Sequence, residues 1–218
     1  MIDRTLKPMK QCEAAAKKAN MVLGQIVRTF HYRKKSILVP LYKTFVRPHL
    51  EYAAAVWSPW TEKDVDMLEK VQRRLVKMLC DARGQTYEEK MEDAGLTTLK
   101  ERRNRGDLIE TFKTIKGFNK VQRDLWFEMQ SGDGNRPTRA NSQVKDGNVE
   151  RKSEIIVKER AALDLRQNFY TMRVVREWNG IPEDVKNEKT VNGFKNALDK
   201  WKMEEKREKK VFEKKTKI

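Results

Sequence analysis

The sequence predicts a mainly α protein, a helical bundle followed by a smaller helical extension with room for one short β-hairpin. Three observations predict it. Apolar residues return at steps of three and four along most of the 218 positions. Ser or Thr stands just before several of these runs, with an acid three residues later, and glycines stand just after them. The chain is 37% charged and 38% hydrophobic, enough apolar content for a packed core and too much for global disorder.

The first helix is expected from Met9 to Phe30, where Met9, Cys12, Ala16, Ala19, Leu23, Ile26 and Phe30 form one apolar face and Pro8 suits the first turn. After "HYRKK", Ser36 is the expected cap of a second helix carrying Leu38, Leu41 and Phe45, which Pro48 should kink or end. The stretch "RPHLEYAAAVWSPW", residues 47 to 60, reads as a buried corner: small alanines allow close approach, and Trp57 and Trp60 cover the end of the bundle. Base stacking is the alternative role for these indoles, and the apolar residues between them favour packing.

A third helix is expected from Thr61, capped with Asp64, to about Ala82, burying Val65, Leu68, Gln72, Leu75 and Leu79. Thr86 with Glu89 and Thr98 with Glu101 open two more, stopped at Gly95 and Gly117. Residues 1–117 thus read as the bundle, 118–201 as the extension and 202–218 as a charged, frayed tail. Within the extension, "SGDGNRPTRANSQVKDGN" (131–148) reads as an exposed loop and 149–157 as a strand or hairpin arm. A helix with Leu165, Phe169, Met172, Val175 and Trp178 stops at Asn179-Gly180 before Pro182; a last one, capped by Thr190, buries Val191, Phe194, Leu198 and Trp201.

Charge is uneven. Lys and Arg number 48 against 32 Asp and Glu, so 48 − 32 = +16, and residues 1–60 alone hold 11 bases and 3 acids, or +8. Such an excess selects polyanionic partners, nucleic acid or an anionic membrane surface. No Asp or Glu occurs between Glu13 and Glu51. Lys17, Lys18, Arg28, Arg33, Lys34, Lys35, Lys43 and Arg47 fill that interval, with Phe30, His31 and Tyr32 interleaved. Duplex nucleic acid is gripped by such cations at its phosphates. On the third helix Lys63, Lys70, Arg73, Arg74 and Lys77 share about a third of the circumference. Asp66 and Glu69 stand four residues before Lys70 and Arg73, so intrahelical pairing is the competing reading. The nucleic-acid-binding candidates are therefore Arg28, Arg33, Lys34, Lys35, Lys43, Arg47, Lys70, Arg73, Arg74 and Lys77, with "KERRNR" (100–105) a further cluster.

Chemistry is sparse. No phosphate-binding glycine loop, nucleophile elbow or metal-ligand spacing occurs, and His31 and His49 read as structural or surface residues. No catalytic residue, metal or cofactor is expected. Cys12 and Cys80 stand too far apart for a disulfide framework or a zinc spacing, which fits an intracellular setting, nucleus or cytoplasm. The longest apolar run, Ala53 to Trp57, is far below the roughly 20 residues of a membrane span. The start "MIDRTLKPMKQ" has no apolar leader, and no membrane partner is expected.

Five blocks carry a resemblance: "LYKTFVRPHLEYAAAVWSPW", "DVDMLEKVQRRLVKML", "LTTLKERRNRGDLIETFKTIKGF", "RQNFYTMRVVREWNGIPEDVKN" and "VNGFKNALDKW". In that order they resemble the carboxyl-terminal part of non-LTR (LINE-type) retrotransposon reverse transcriptases, most of all the jockey-like branch and its vertebrate chicken-repeat relatives, over roughly residues 3 to 201. The resemblance implies a thumb, the helical bundle that holds the template–primer duplex after the palm, plus a downstream extension. The first helix and "RTFHYRKKS" match the thumb's opening helices, and "VQRRLVK" a later one. The family's Tyr-x-Asp-Asp and its endonuclease are absent, and Ala53 stands where many relatives carry cysteine. Phosphoryl transfer needs carboxylates holding two cations, so the chain is not expected to be an enzyme on its own. The expected partners are RNA, DNA or an RNA–DNA duplex, and a separate or upstream palm. A helical protein-interaction scaffold, or an element remnant without polymerase work, is the alternative.

Overall fold

A computed structural model describes residues 7–79, 86–130 and 154–216. The chain is mainly helical. The residues up to Asp107, with Leu163–Tyr170, form one compact unit; those from Leu108 to Ala162, with Thr171 onward, form a second. The division falls inside a helix, where sequence places it at Gly117.

In the first unit α1, Met9–Thr29, buries Cys12, Ala15, Ala16, Ala19, Leu23 and Ile26 along the expected face. Pro8 precedes it as the cap, and Phe30 is extended and exposed, outside the helix. The second helix, α2 (Lys35–Leu41), starts one residue before Ser36, which caps nothing. Pro48 does not end the helical path. The path widens into a π turn, Tyr42–Val46, in which the Arg47 N–H donates to the Tyr42 carbonyl. A proline cannot donate, and its ring crowds the carbonyl four residues back. The wider turn relieves both, so α3 (Arg47–Glu51) accepts Pro48 in its first turn.

The break comes at Ala53, the one described non-glycine residue with positive φ (φ 52°, ψ 29°). Left-handed geometry costs an L-residue roughly 1–2 kcal/mol. The short α4, Ala54–Trp57, repays part of that, since Trp57 is buried and its Nε1 donates to the Tyr52 carbonyl at 2.8 Å. Trp60 is half-buried. The corner expected from "RPHLEYAAAVWSPW" thus turns at Ala53 but is buried only in part, since Tyr52, Ala53 and Val56 are exposed.

The Thr61 hydroxyl accepts from the Asp64 N–H and opens α5, Glu62–Met78. It buries Leu68, Val71, Gln72, Leu75 and Val76, and Leu79 is already extended, so the helix stops short of Ala82. Thr86 and Glu89 form the reciprocal capping box of α6, Tyr87–Asp93. Thr98 accepts from the Glu101 N–H at the start of α7, Leu99–Ile115. Both stop glycines are left-handed, Gly95 at φ 57° and Gly117 at φ 72°. After each, a six-residue closure (Leu96 N–H to the Met91 carbonyl, Phe118 N–H to the Lys113 carbonyl) satisfies the helix end.

In the second unit Phe112 of α7 stacks on Phe194 with centroids 4.2 Å apart, and Trp178 meets Phe194 at 6.1 Å. Of the expected hairpin, the described residues hold one antiparallel bridge, Met129 with Ile156, and no strand. The loop expected at 131–148 lies outside the described residues, as do 149–153 of the expected arm. The helix expected from Leu165 to Trp178 is split into α8 (Asp164–Gln167) and α9 (Tyr170–Asn179), because the Asn168 side chain donates to the Asp164 carbonyl and closes the first turn. After α10, Glu183–Lys186, the last helix α11 runs from Val191 to Thr216. Residues 202–216 are therefore helical, not frayed. They hold no Gly or Pro, are rich in good helix formers, and carry an i,i+4 pair, Lys209 to Glu205 at 2.6 Å.

Candidate nucleic-acid interface

Helix α1 packs on α5 in the first unit. Cys12, early in α1, feels the charge of Asp64, early in α5, while Asn20 further along α1 accepts from Arg74 Nη1 at 3.2 Å. The helices therefore run in the same direction, and the Asn20–Arg74 pair marks one exposed edge of their contact. Moving outward from Asn20, away from the buried stripe, the next about 80° of α1 holds Lys17 and Arg28. Moving outward from Arg74, the next about 60° of α5 holds Lys63, Lys70 and Lys77. Two cation clusters far apart in sequence meet along one seam. Each of these five side chains is exposed.

Two acids lie near it. Glu13 is exposed at the start of α1. Asp66 is bound to Arg73 and, at 3.1 Å, to Lys70; those hydrogen bonds, Arg73's first, hold its carboxyl below the usual carboxylate range. Arg73 thus pairs with Asp66 where sequence spacing suggests Glu69. Glu69 is drawn away because it accepts from the Lys100 N–H at 3.0 Å at the start of α7, and burial raises its pKa.

The acid-free interval is unopposed only in sequence. Lys35 donates to Asp93 of α6 at 2.6 Å. Arg47 lies 3.8 Å from Glu51, which also accepts two hydrogen bonds from Arg102, and burial lowers the Arg47 pKa. Lys43 is half-buried, its ammonium beside Gly95. That leaves Lys17, Lys18, Arg28, Arg33 and Lys34 exposed and without an ion pair among the described residues. In "KERRNR", Arg103 is buried with neither Nη paired among the described residues, and burial lowers its pKa. With Arg102 on Glu51 and Arg103 inside, that cluster is mostly a packing device.

Asn20 is the seam residue that sequence reading passed over. Its signal is weak: a polar residue at helical spacing from Lys17, at the edge of the apolar stripe.

Among the described residues no helix is long and apolar enough to cross a membrane, and no group of three or more His, Cys, Asp and Glu is placed to hold a metal. No family model matches the chain, and no solved structure matches it. It is similar to an uncharacterized protein of Caenorhabditis elegans, B0403.1, at 24% identity over 105 residues, 47% of this chain and 53% of that one. The chain thus spans about half the length of the curated relative it matches.

Proposed function

We propose that this chain is the thumb and downstream extension of a non-LTR retrotransposon RNA-directed DNA polymerase, gripping a template–primer duplex through its phosphates. The catalytic aspartates belong to a palm on a separate or upstream segment, and the chain alone does no phosphoryl transfer. The α1–α5 seam carries this reading: Lys17 and Arg28 on one helix run beside Lys63, Lys70, Arg74 and Lys77 on the other. Parallel rows of cations suit the two rails of phosphate that a duplex presents, and they read no sequence.

The test is fluorescence anisotropy with a blunt RNA–DNA hybrid over a range of salt. Each neutralised phosphate contributes about −0.9 to the slope of log affinity against log salt on B-form DNA. Lys17→Glu with Lys77→Glu is expected to weaken binding and flatten the slope by roughly two. Unchanged affinity and slope, with normal circular dichroism, overturns the duplex reading.

The second reading is a helical interaction scaffold. Phe45, Tyr52 and Val56 favour it, since they stand 54%, 80% and 68% exposed around the Ala53 corner. An apolar contact of that kind holds as salt rises, so the same titration separates the two.

A further inference from the structure

Between α1 and α2 the chain leaves the helical path for a few residues. Phe30 (φ −104°, ψ 105°) and Lys34 (φ −74°, ψ 143°) are extended, and no helix or turn forms between them. All five side chains, Phe30, His31, Tyr32, Arg33 and Lys34, are exposed. Tyr32 is 75% exposed and Phe30 40%, and neither ring meets another aromatic ring or a cation among the described residues. The Tyr32 side chain is thus mostly uncovered and that of Phe30 partly so. Arg28, Arg33 and Lys34 flank them in sequence without an ion pair among the described residues, and Asp93 is engaged by Lys35.

Flat uncovered rings among unpaired cations are what a single strand needs. Its bases offer π faces whatever their identity, and its phosphates need cations. Residues two apart in a fully extended chain share a side and lie about 6.6 Å from each other. That is about twice the ~3.4 Å advance per nucleotide of a strand, the separation at which one base would lie between two rings. An acidic polypeptide would also cover the rings and pair with the three cations, so a protein partner is an outcome of the test. Arg28 belongs at once to the α1–α5 seam and to this connector, two residues before Phe30.

We propose that residues 30–34 are a stacking platform for unpaired bases, taking the single strand that continues from a duplex held on the α1–α5 seam; this placement rests on the duplex reading above. Phe30 and Tyr32 supply the stacking, Arg33 and Lys34 the phosphate contacts, and recognition is insensitive to base sequence.

The test compares three probes on the full chain by anisotropy: a blunt RNA–DNA hybrid, the same hybrid with a single-stranded extension, and the single strand alone. The extension is expected to raise affinity roughly tenfold over the blunt hybrid. Phe30→Ala with Tyr32→Ala is expected to remove that gain with blunt-hybrid affinity and salt slope unchanged, because stacking displaces no counterions. Tyr32→Phe is expected to keep it, which separates ring stacking from a hydroxyl contact. Both variants are at exposed positions, and circular dichroism verifies their helix content. No gain from the extension, or a gain that survives the double alanine variant, overturns the platform; rings that serve only a polypeptide partner give this result. If the blunt hybrid fails to bind at all, the duplex reading falls. The single strand alone then decides: roughly tenfold weaker binding by the double variant supports the platform, and equal binding overturns it.

Discussion

Arg74 of α5 donates to the side-chain oxygen of Asn20 of α1 at 3.2 Å, across 54 residues of sequence. The bond is exposed, so it adds little to stability. Its consequence is geometric, because it puts the cationic flanks of two helices on the same side of the molecule.

Arg74→Ala is therefore expected to leave urea stability within about 0.5 kcal/mol of the parent. It should flatten the salt slope of duplex binding by about one, the value of one phosphate contact. Lys35→Ala is the contrasting variant. Its ammonium serves Asp93, so its slope should move by clearly less than that of Arg74→Ala. Equal slopes for the two would remove the distinction between seam and paired cations.

Glu51 accepts from Arg102 of α7 and stands beside Arg47 of α3, all three side chains less than a third exposed. Glu51→Ala removes an acceptor that two half-buried guanidinium groups share. A loss of about 2 kcal/mol is expected in urea unfolding. Loss within error would mean that water replaces the carboxylate fully.

Tyr42 is fully buried; its hydroxyl donates to Gln72 Oε1 at 2.9 Å, and the Gln72 amide donates to the Thr97 carbonyl at 3.0 Å. Tyr42→Phe keeps the ring but orphans a buried acceptor, at an expected cost of about 1–3 kcal/mol. Chemical unfolding of the two proteins side by side measures it.

Burial, with the Asp64 charge adding, pushes the Cys12 thiol from its ordinary 9.0 up to about 12. A raised folded pKa means that the thiol's contribution is complete below pH 9.0 and is lost as pH rises from there towards about 12. In a Cys80→Ser background, Cys12 should resist a disulfide reagent at pH 8 until urea unfolds the chain. Stability should fall through the alkaline range more steeply than in Cys12→Ala. Immediate labelling in the folded state would contradict the burial.

Phe194 is the stacking partner of Phe112 and a neighbour of Trp178 in the second unit. Phe194→Ala is expected to cost about 3–5 kcal/mol by opening a cavity between these rings. Indole fluorescence and thermal melting both report it, and a change under about 1 kcal/mol would be inconsistent with this core.

The parts legible in sequence are those that short-range chemistry decides. Cys12, Ala16, Ala19, Leu23 and Ile26 recur with the helical period, so the buried face of α1 follows from spacing alone. Thr61 with Asp64, Thr86 with Glu89, and the left-handed Gly95 and Gly117 each satisfy helix-end groups within a few residues, so their roles are also local. Other boundaries moved for local reasons that spacing does not display. The π turn before Pro48 removes a steric clash without ending the helix, and the charged segment after Trp201 stays helical on propensity and side-chain pairing. Partnership was decided by tertiary structure. Nothing near Lys35 in sequence shows that Asp93 will claim it, nothing near Glu51 shows that Arg102 will share it with Arg47, and nothing near Lys17 shows that it will share a seam with Lys77. A charge's neighbours depend on which helices pack, and the apolar faces choose those helices without regard to the charges they carry along.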